Sequence, residues 1–595
     1  MKIRFKLISV LLSAVIILPL CFFETSAADR KKDFTEKISL LRDYIFSDSH
    51  LESDIANELK NSFGSVKYTV FISVSDRETR AATVSGNGQT LSEAWDNAEG
   101  AALDFVDKNN KRSVYIKADL VNYMKYVTPD ELTELIKQAG YGSYFRQGIA
   151  FDPSFSTAFL EGEINAGKLI NYGESKSLDL NAVNRYQKEN GKKTVGKIPE
   201  KLITFSCRGY IYENGKNYTL EFERNLNYGR RIIKDVTGRY ITSIINNASL
   251  RLGTMTEKDG KFTYGYYPCD DKKIGGYSIL RHAGTLWSQI CSYRLTGNEK
   301  LVPNIEKALE YLISEVVYKD KNTAFLAEKS SKEIKSGGNG IILLALTEYM
   351  DVFGTDKYAE LAVQLGNGII DMLDIKTGEY SHVYYYGEPG KKDFTLKDKY
   401  RIVYYDGEAT FGLLRLYASV GGEKYLNAAK TAVGNFINKN YETIGDHWVA
   451  YTMNEMTKVL PTEEYYEFAL KNVNINLTKY YKKKLAGHIN LEMLMSTFEL
   501  YDRIISTEAR VKYLDEFKAD DFIKTIFERA DFHLNAYFYP EQAIYFKNPD
   551  SIIRSFFIRN DSFRVRIDDV QHFIGGYYLY AKNYGRLIKY KNLYS

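Results

Sequence analysis

The stretch Asp406–Ile437, DGEATFGLLRLYASVGGEKYLNAAKTAVGNFI, decides the fold. It covers two apolar-periodic segments, 407–419 and all but the last residue of 423–438, each repeating at three- and four-residue steps as an amphipathic helix does. Between them Gly421-Gly422 supplies a left-handed helix stop, and Glu423-Lys424 opens the next helix with polar residues. The same joint recurs at Leu295–Lys300 (LTGNEK) and Phe353–Tyr358 (FGTDKY). Repetition of this kind marks stacked helical hairpins.

Working outward, twelve such segments are expected: 227–247, 277–296, 300–316, 338–353, 356–374, 407–419, 423–438, 446–459, 463–481, 488–505, 517–535 and 568–584. The first helix of each pair opens on unusual groups: Arg281-His282 with Trp287; Gly337-Gly338-Asn339; Tyr404-Tyr405-Asp406-Gly407-Glu408; Asp446-His447-Trp448; His488 with Glu492; and Asp568-Asp569-Gln571-His572. The second helices, such as Tyr425–Ile437, read as ordinary amphipathic cover. Polar groups gathered at one set of helix starts point to a closed ring around a common cavity rather than an open array. The segment Phe563–Tyr578, FRVRIDDVQHFIGGYY, would then close the ring against the first hairpin.

In this region, about Leu226–Ser595, the chain resembles the (α/α)6-toroid carbohydrate-active enzymes, the six-hairpin glycosidase-like superfamily. The resemblance implies an enzyme of the kinds that share this architecture: inverting glycosidases, unsaturated-uronyl hydrolases, uronate lyases and epimerases, and N-acyl-sugar epimerases. Lanthionine cyclases and terpene-type cyclases share it too. The zinc-binding cysteine–histidine set of the former and the DxDD motif of the latter are absent here, and fold analogy alone assigns no chemistry.

Ahead of the ring the period changes. Residues 29–64 read as two short helices, Lys67–Ser75 as a strand paired with Arg80–Val84, and Leu91–Val106 as a helix. Further strands are expected at Ser113–Ala118, Leu202–Tyr212 and Tyr218–Glu223, and a helix at Pro129–Ala139. The fold class is thus multidomain: an α+β accessory domain over 29–225, then an all-α toroid over 226–595. The Gly86-Asn87-Gly88 turn and following helix faintly resemble a small α/β family from the AMME chromosomal-deletion region. That family's Arg-Gly-Cys turn is missing, so no function carries over.

Residues 1–28 read as a signal peptide. Lys2, Arg4 and Lys6 precede the apolar run Leu7–Phe23, and Thr25-Ser26-Ala27-Ala28 offers small residues for cleavage. A secreted or cell-envelope location follows, with no stable membrane span after cleavage; a retained anchor is the alternative. Cys207, Cys269 and Cys291 are an odd set that defines no disulfide framework. A formal net charge of +4 over 595 residues, with no basic stripe, argues against nucleic acid as a partner. The 49 tyrosines suit sugar rings, each offering a flat apolar face with a hydroxyl at its rim. A monomer without cofactor is expected.

Glycoside hydrolysis needs one carboxyl kept protonated and one ionised. The candidates for these roles are Asp568, Asp569, Asp406, Glu408 and Asp446. Asp406 and Asp446 also stand where helix N-caps belong. Arg281 and Arg566, with Arg564, suit an acidic sugar, since guanidinium grips carboxylate in bidentate fashion. Trp287, Trp448, Tyr404 and Tyr405 can stack on sugar rings, and His488 and Gln571 complete the substrate-binding set. His282, His447 and His572 titrate near neutral pH and fit a lyase or epimerase. None of these histidines lies in H-x-x-x-H spacing with another, so no metal is expected. The expected function is hydrolysis of a polysaccharide or oligosaccharide, acidic or neutral, by a pair of carboxylates at the mouth of the ring. The alternatives are a lyase or epimerase, and a non-catalytic glycan binder of envelope polysaccharide export.

Overall fold

The computed structural model describes residues 27–138, 144–223, 226–481 and 487–594. All but the last two positions of the expected signal segment lie outside the described residues.

The amino-terminal part is built on an antiparallel sheet. Its strands run in the order 82–88, 68–75, 115–127, 202–213, 148–150 and 158–159, with Lys216–Thr219 added against 202–213. Helices α1 (Ala27–Phe46), α2 (Leu51–Phe63), α3 (Leu91–Asn109), α4 (Pro129–Gln138), α5 (Glu161–Ala166) and α6 (Leu180–Glu189) pack on it. The strand Tyr68–Ser75 is buried at every position, polar ones included. Its alternation suggests a solvent-facing side, but that side is covered. Ser73 Oγ lies 3.0 Å from Thr83 Oγ1 and 3.2 Å from the hydroxyl of Tyr545, far along the chain.

The rest is helical: α7 (Gly238–Thr254), α8 (Ile279–Thr296), α9 (Val302–Ser314), α10 (Ser336–Phe353), α11 (Ala359–Asp371), α12 (Tyr404–Val420), α13 (Glu423–Asn438), α14 (His447–Val459), α15 (Glu463–Asn474), the short α16 (Leu477–Tyr481), α17 (Asn490–Ser506), α18 (Ala519–His533), the short α19 (Pro540–Ala543) and α20 (Ile567–Tyr594). Helices α8, α10, α12, α14, α17 and α20 each pack on the next, and α20 returns to α8, closing a ring of six. Helices α7, α9, α11, α13, α15 and α18 lie outside it. The expected joints hold: Gly297 and Gly354 each cap a helix with φ of 61°, their N–H groups donating to Tyr293 and Met350 carbonyls.

Inner helices approach closely where glycine removes the side chain. A Cβ on Gly340 of α10 would lie 2.2 Å from the Glu408 carbonyl oxygen, and one on Gly412 of α12 would lie 2.5 Å from the Gly340 oxygen. Helix α10 is accordingly buried throughout Ser336–Met350.

The expected helix 463–481 is divided into α15 and α16, and the expected strand Tyr218–Glu223 is Lys216–Thr219. Among the departures from the sequence reading, three bear most on the ring. The first helix begins at Gly238 instead of 227, capped by the Thr237 side chain on the Tyr240 N–H. Upstream of it the backbone is bonded elsewhere: Arg231 forms a β-bridge with Leu220, its N–H donates to Glu541 Oε1 at 3.0 Å, and the Ile232 N–H donates to the Thr219 carbonyl at 2.9 Å, so these groups are not available to a helix. Strands 316–319, 324–328, 333–335, 383–386 and 394–398 form a five-stranded sheet between the helices leading into α10 and α12. Finally, the linker between α18 and α20 is buried against the amino-terminal sheet, with the Ala81 N–H donating to the Ile544 carbonyl at 2.7 Å. One continuous apolar core runs through both parts of the chain.

Candidate active site

Five of the inner helices carry ionisable groups into one mouth of the ring. Each does so within its first turns, where the helix N-terminus favours negative charge. From α8 comes Arg281, from α12 Glu408, from α14 His447 with its cap Asp446, from α17 Glu492, and from α20 Asp568, Asp569 and His572. The strand Val565–Arg566 leading into α20 adds Arg566.

Asp568 is bound from two directions. Arg281 Nε stands 2.8 Å from its Oδ2, and Arg566 donates from Nε to Oδ1 and from Nη2 to Oδ2, the latter at 2.8 Å. Burial opposes ionisation of this carboxyl, but the two guanidinium charges outweigh it and hold the group below the ordinary aspartate range. Asp569 is fully buried and accepts two bonds from Arg564, at 2.8 and 2.9 Å. Burial and the neighbouring Asp568 charge nevertheless raise it.

Glu408 is the opposite case. It is 4% exposed, and among the described residues its Oε2 has no hydrogen-bond partner. Burial drives its carboxyl well above the usual range; the charge of Asp446 adds to this and that of Arg281 opposes it. Its side chain fits because Gly337 stands opposite: a Cβ there would lie 1.9 Å from Oε2.

A second cluster adjoins this one. Glu492 is fully buried, accepting from the Tyr451 hydroxyl at 3.1 Å and bonded to His572 Nδ1 at 2.7 Å. Burial opposes protonation of His572, yet Glu492 outweighs it and raises the imidazole. The His488 ring lies 5.1 Å from that of His572, and burial together with repulsion from His572 lowers it well below the usual range. His447 is 2% exposed, 3.4 Å from Asp446 Oδ1 and 3.8 Å from Glu492 Oε2. Among the described residues neither of its ring nitrogens, nor Asp446 Oδ2, has a hydrogen-bond partner.

The other candidates fall in different places. Trp287 and Trp448 are buried with rings 6.3 Å apart, joined by Phe411 and Tyr451 in an aromatic floor inside the ring. Tyr404 meets His447 edge-on at 5.9 Å, and Tyr405 lies 5.5 Å from His382. Gln571 is buried against Gly284 of α8, at the ring's seam. His282 sits away from the mouth, between α8 and α9. Its Nδ1 is 2.7 Å from the Tyr277 hydroxyl and its Nε2 2.8 Å from the Ala308 carbonyl, and burial lowers it to about 4. That is a neutral packing histidine. Asp406 is occupied by His382 Nε2 and the Tyr441 hydroxyl, each at 2.9 Å. The Arg401 N–H donates to His382 Nδ1, so Nε2 carries the proton given to Asp406. Asp446 does cap α14, accepting from the Trp448 N–H at 3.0 Å.

With this geometry in view, the chain is similar in fold to several solved sugar-converting enzymes. A cellobiose 2-epimerase from Bacillus thermoamylovorans matches with a TM-score of 0.40 and 13% identity, over 51% of this chain and 88% of that one. A D-mannose isomerase matches with a TM-score of 0.44 and 12% identity, over 59% and 100%. A glycoside hydrolase family 76 mannosidase from Bacteroides thetaiotaomicron matches with a TM-score of 0.41 and 12% identity, also over 59% and 100%. No protein-family model matches the chain, and no curated protein does. At such identities and scores the likeness decides nothing about this chain's chemistry, and the toroid rests on the closed packing of its own six inner helices.

Glu492 stands at a helix start in the sequence with no role expected of it, and nothing in the sequence singles out Tyr451, His382 or Tyr441. Glu492 had a usable signal: like Glu408 it lies in an inner helix's first turns, and each faces a glycine of the neighbouring inner helix, Gly575 and Gly337 respectively. His382 lies outside any helix and carried no such signal.

Proposed function

We propose that this chain is a carbohydrate-active enzyme that hydrolyses glycosidic bonds at the mouth of its helical ring. Glu408 is the general acid and Asp568 the general base. The observation that carries the reading is the opposite displacement of these two carboxyls in a single mouth. Glu408 is kept neutral by burial, and Asp568 is kept ionised by Arg281 and Arg566. Carboxyls pushed apart in this way divide into proton donor and water activator. Asp568 still has lone pairs for a water, since a carboxylate accepts at about four positions. Arg281, partly exposed at the rim, and Arg566 favour an acidic sugar as substrate. Tyr400, 61% exposed and 4.8 Å from His382, gives the rim an aromatic face for a sugar ring. Export through the amino-terminal signal would place this activity outside the cytoplasmic membrane, on polysaccharide or oligosaccharide, as a monomer. Among the described residues no helix is long and apolar enough to cross a membrane.

A second reading is favoured by the histidines. His572 is raised and His488 lowered with their rings 5.1 Å apart, an arrangement able to remove a proton on one side and return it on the other. A lyase or epimerase would use it.

The experiment is incubation of the chain from residue 29 with a panel of neutral and acidic glycans. New reducing ends support hydrolysis. An unsaturated product absorbing in the ultraviolet, or sugar isomerised without cleavage, replaces it with the second reading. Binding without any product overturns both.

A further inference from the structure

Three side chains from three successive inner helices converge beside the carboxyl pair: His447 of α14, Glu492 of α17 and His572 of α20. Their donor atoms all lie within 4.8 Å of one another. Two imidazoles and one carboxylate form a borderline donor set suited to zinc and its neighbours among the divalent transition metals.

The buried atoms left without partners say more than proximity does. A buried polar atom without a partner is destabilising, and such atoms collect here. Both ring nitrogens of His447 and Oδ2 of Asp446 are buried without a hydrogen bond among the described residues. A cation between His447 Nε2 and Glu492 Oε2, now 3.8 Å apart, would use one of those nitrogens. The other, Nδ1, lies 3.4 Å from Asp446 Oδ1. Asp446 thus stands where an outer carboxylate orients a metal-bound imidazole. Glu492 is steadied by the Tyr451 hydroxyl, and Gly575 leaves room for it, since a Cβ there would lie 2.4 Å from Oε1.

We propose that His447, Glu492 and His572 form a binding site for one divalent transition-metal ion such as Zn2+, with Asp446 orienting His447 from behind. Bond lengths of about 2.0–2.2 Å to nitrogen and oxygen require only that the three side chains draw together. The proton on His572 Nδ1, now shared with Glu492 Oε2 at 2.7 Å, leaves to solvent as the ion takes its place. The ion would tie α14, α17 and α20 together and place a Lewis acid beside Asp568. The inference does not rest on the hydrolytic reading.

The test is metal binding by the chelator-treated full chain, followed by calorimetric titration with Zn2+, by the visible absorption of Co2+, and by thermal melting. One ion per chain is expected, raising Tm in the wild type. His447→Asn and Glu492→Gln should abolish the Co2+ spectrum and the Tm rise, and Asp446→Asn should weaken binding by about 10–100-fold. Circular dichroism checks that each variant is folded, and Glu492→Gln keeps the size and shape of the side chain. Glu408→Gln should bind Zn2+ as the wild type does, which separates this inference from the fate of the proposed hydrolysis. Failure of the wild type to bind, or equal binding by folded His447→Asn and Glu492→Gln variants, overturns it.

Discussion

Arg281 Nε lies 2.8 Å from Asp568 Oδ2, so the first inner helix is pinned to the last by an ion pair at the mouth of the ring. This contact closes the toroid and sets the charge of the site together. The same guanidinium lowers Asp568 and opposes the rise of Glu408. Replacing it with glutamine should therefore raise both carboxyls. The acid and alkaline limbs of the kcat/KM profile should move upward in pH together. An unmoved profile in an active, folded Arg281→Gln variant would remove Arg281 from this role.

Glu408→Gln should stabilise the protein, increasingly so at higher pH. The folded-state pKa of Glu408 lies above its unfolded value of 4.5. Its favourable contribution is complete below about pH 4.5 and is lost as pH rises through the folded pKa. Glutamine stays neutral and escapes that loss. Melting curves at pH 5 and pH 8 should show the variant's advantage growing between them; a constant difference would mean that Glu408 is not held protonated.

Gly337 and Gly575 each seat a carboxylate from the neighbouring helix. A methyl at Gly337 would push Glu408 Oε2 from 1.9 Å, and one at Gly575 would push Glu492 Oε1 from 2.4 Å. Each alanine variant should lose about 1–3 kcal/mol to overpacking. Gly337→Ala should lose turnover as well. Gly575→Ala should lose Zn2+ affinity. Unchanged Tm and turnover in Gly337→Ala would contradict the seating.

Asp406→Asn should cost stability more than chemistry. Asp406 joins α12 to His382 and Tyr441 through two bonds at 2.9 Å, all buried. An amide facing the His382 N–H and the Tyr441 hydroxyl cannot serve both as a carboxylate does. A loss of about 1–3 kcal/mol is expected, with kcat of the folded protein nearly retained. Abolished turnover at unchanged Tm would instead place Asp406 in the reaction.

The helix starts were legible because apolar period and glycine stops are local signals. Asp446 and Glu408 could be picked out at those starts, and both lie in the mouth. What single residues did there was not legible. Asp406, Asp446 and Glu408 look alike in sequence. The N-cap bond of Asp446 to Trp448 is local, but the other two are set by groups distant in sequence: His382 for Asp406, and Gly337 against an oxygen without a partner among the described residues for Glu408. His282 and His447 both open inner helices, yet one is bonded to its neighbours on the outer side, whereas the other, inside, has no hydrogen-bond partner among the described residues. The metal-ligand geometry was invisible for the same reason, since its three residues come from three helices and obey no sequence spacing. The mouth-side sheet escaped notice because its strands are no longer than five residues each.

The most direct measurement compares Glu408→Gln and wild type on two glycosides of one sugar, one with its natural sugar leaving group and one with an activated aryl group that departs unprotonated. If Glu408 is the proton donor, the variant should lose about 10²–10⁴-fold in rate on the natural linkage and little on the aryl glycoside. Equal losses on both substrates, or full activity on the natural one, would contradict the assignment.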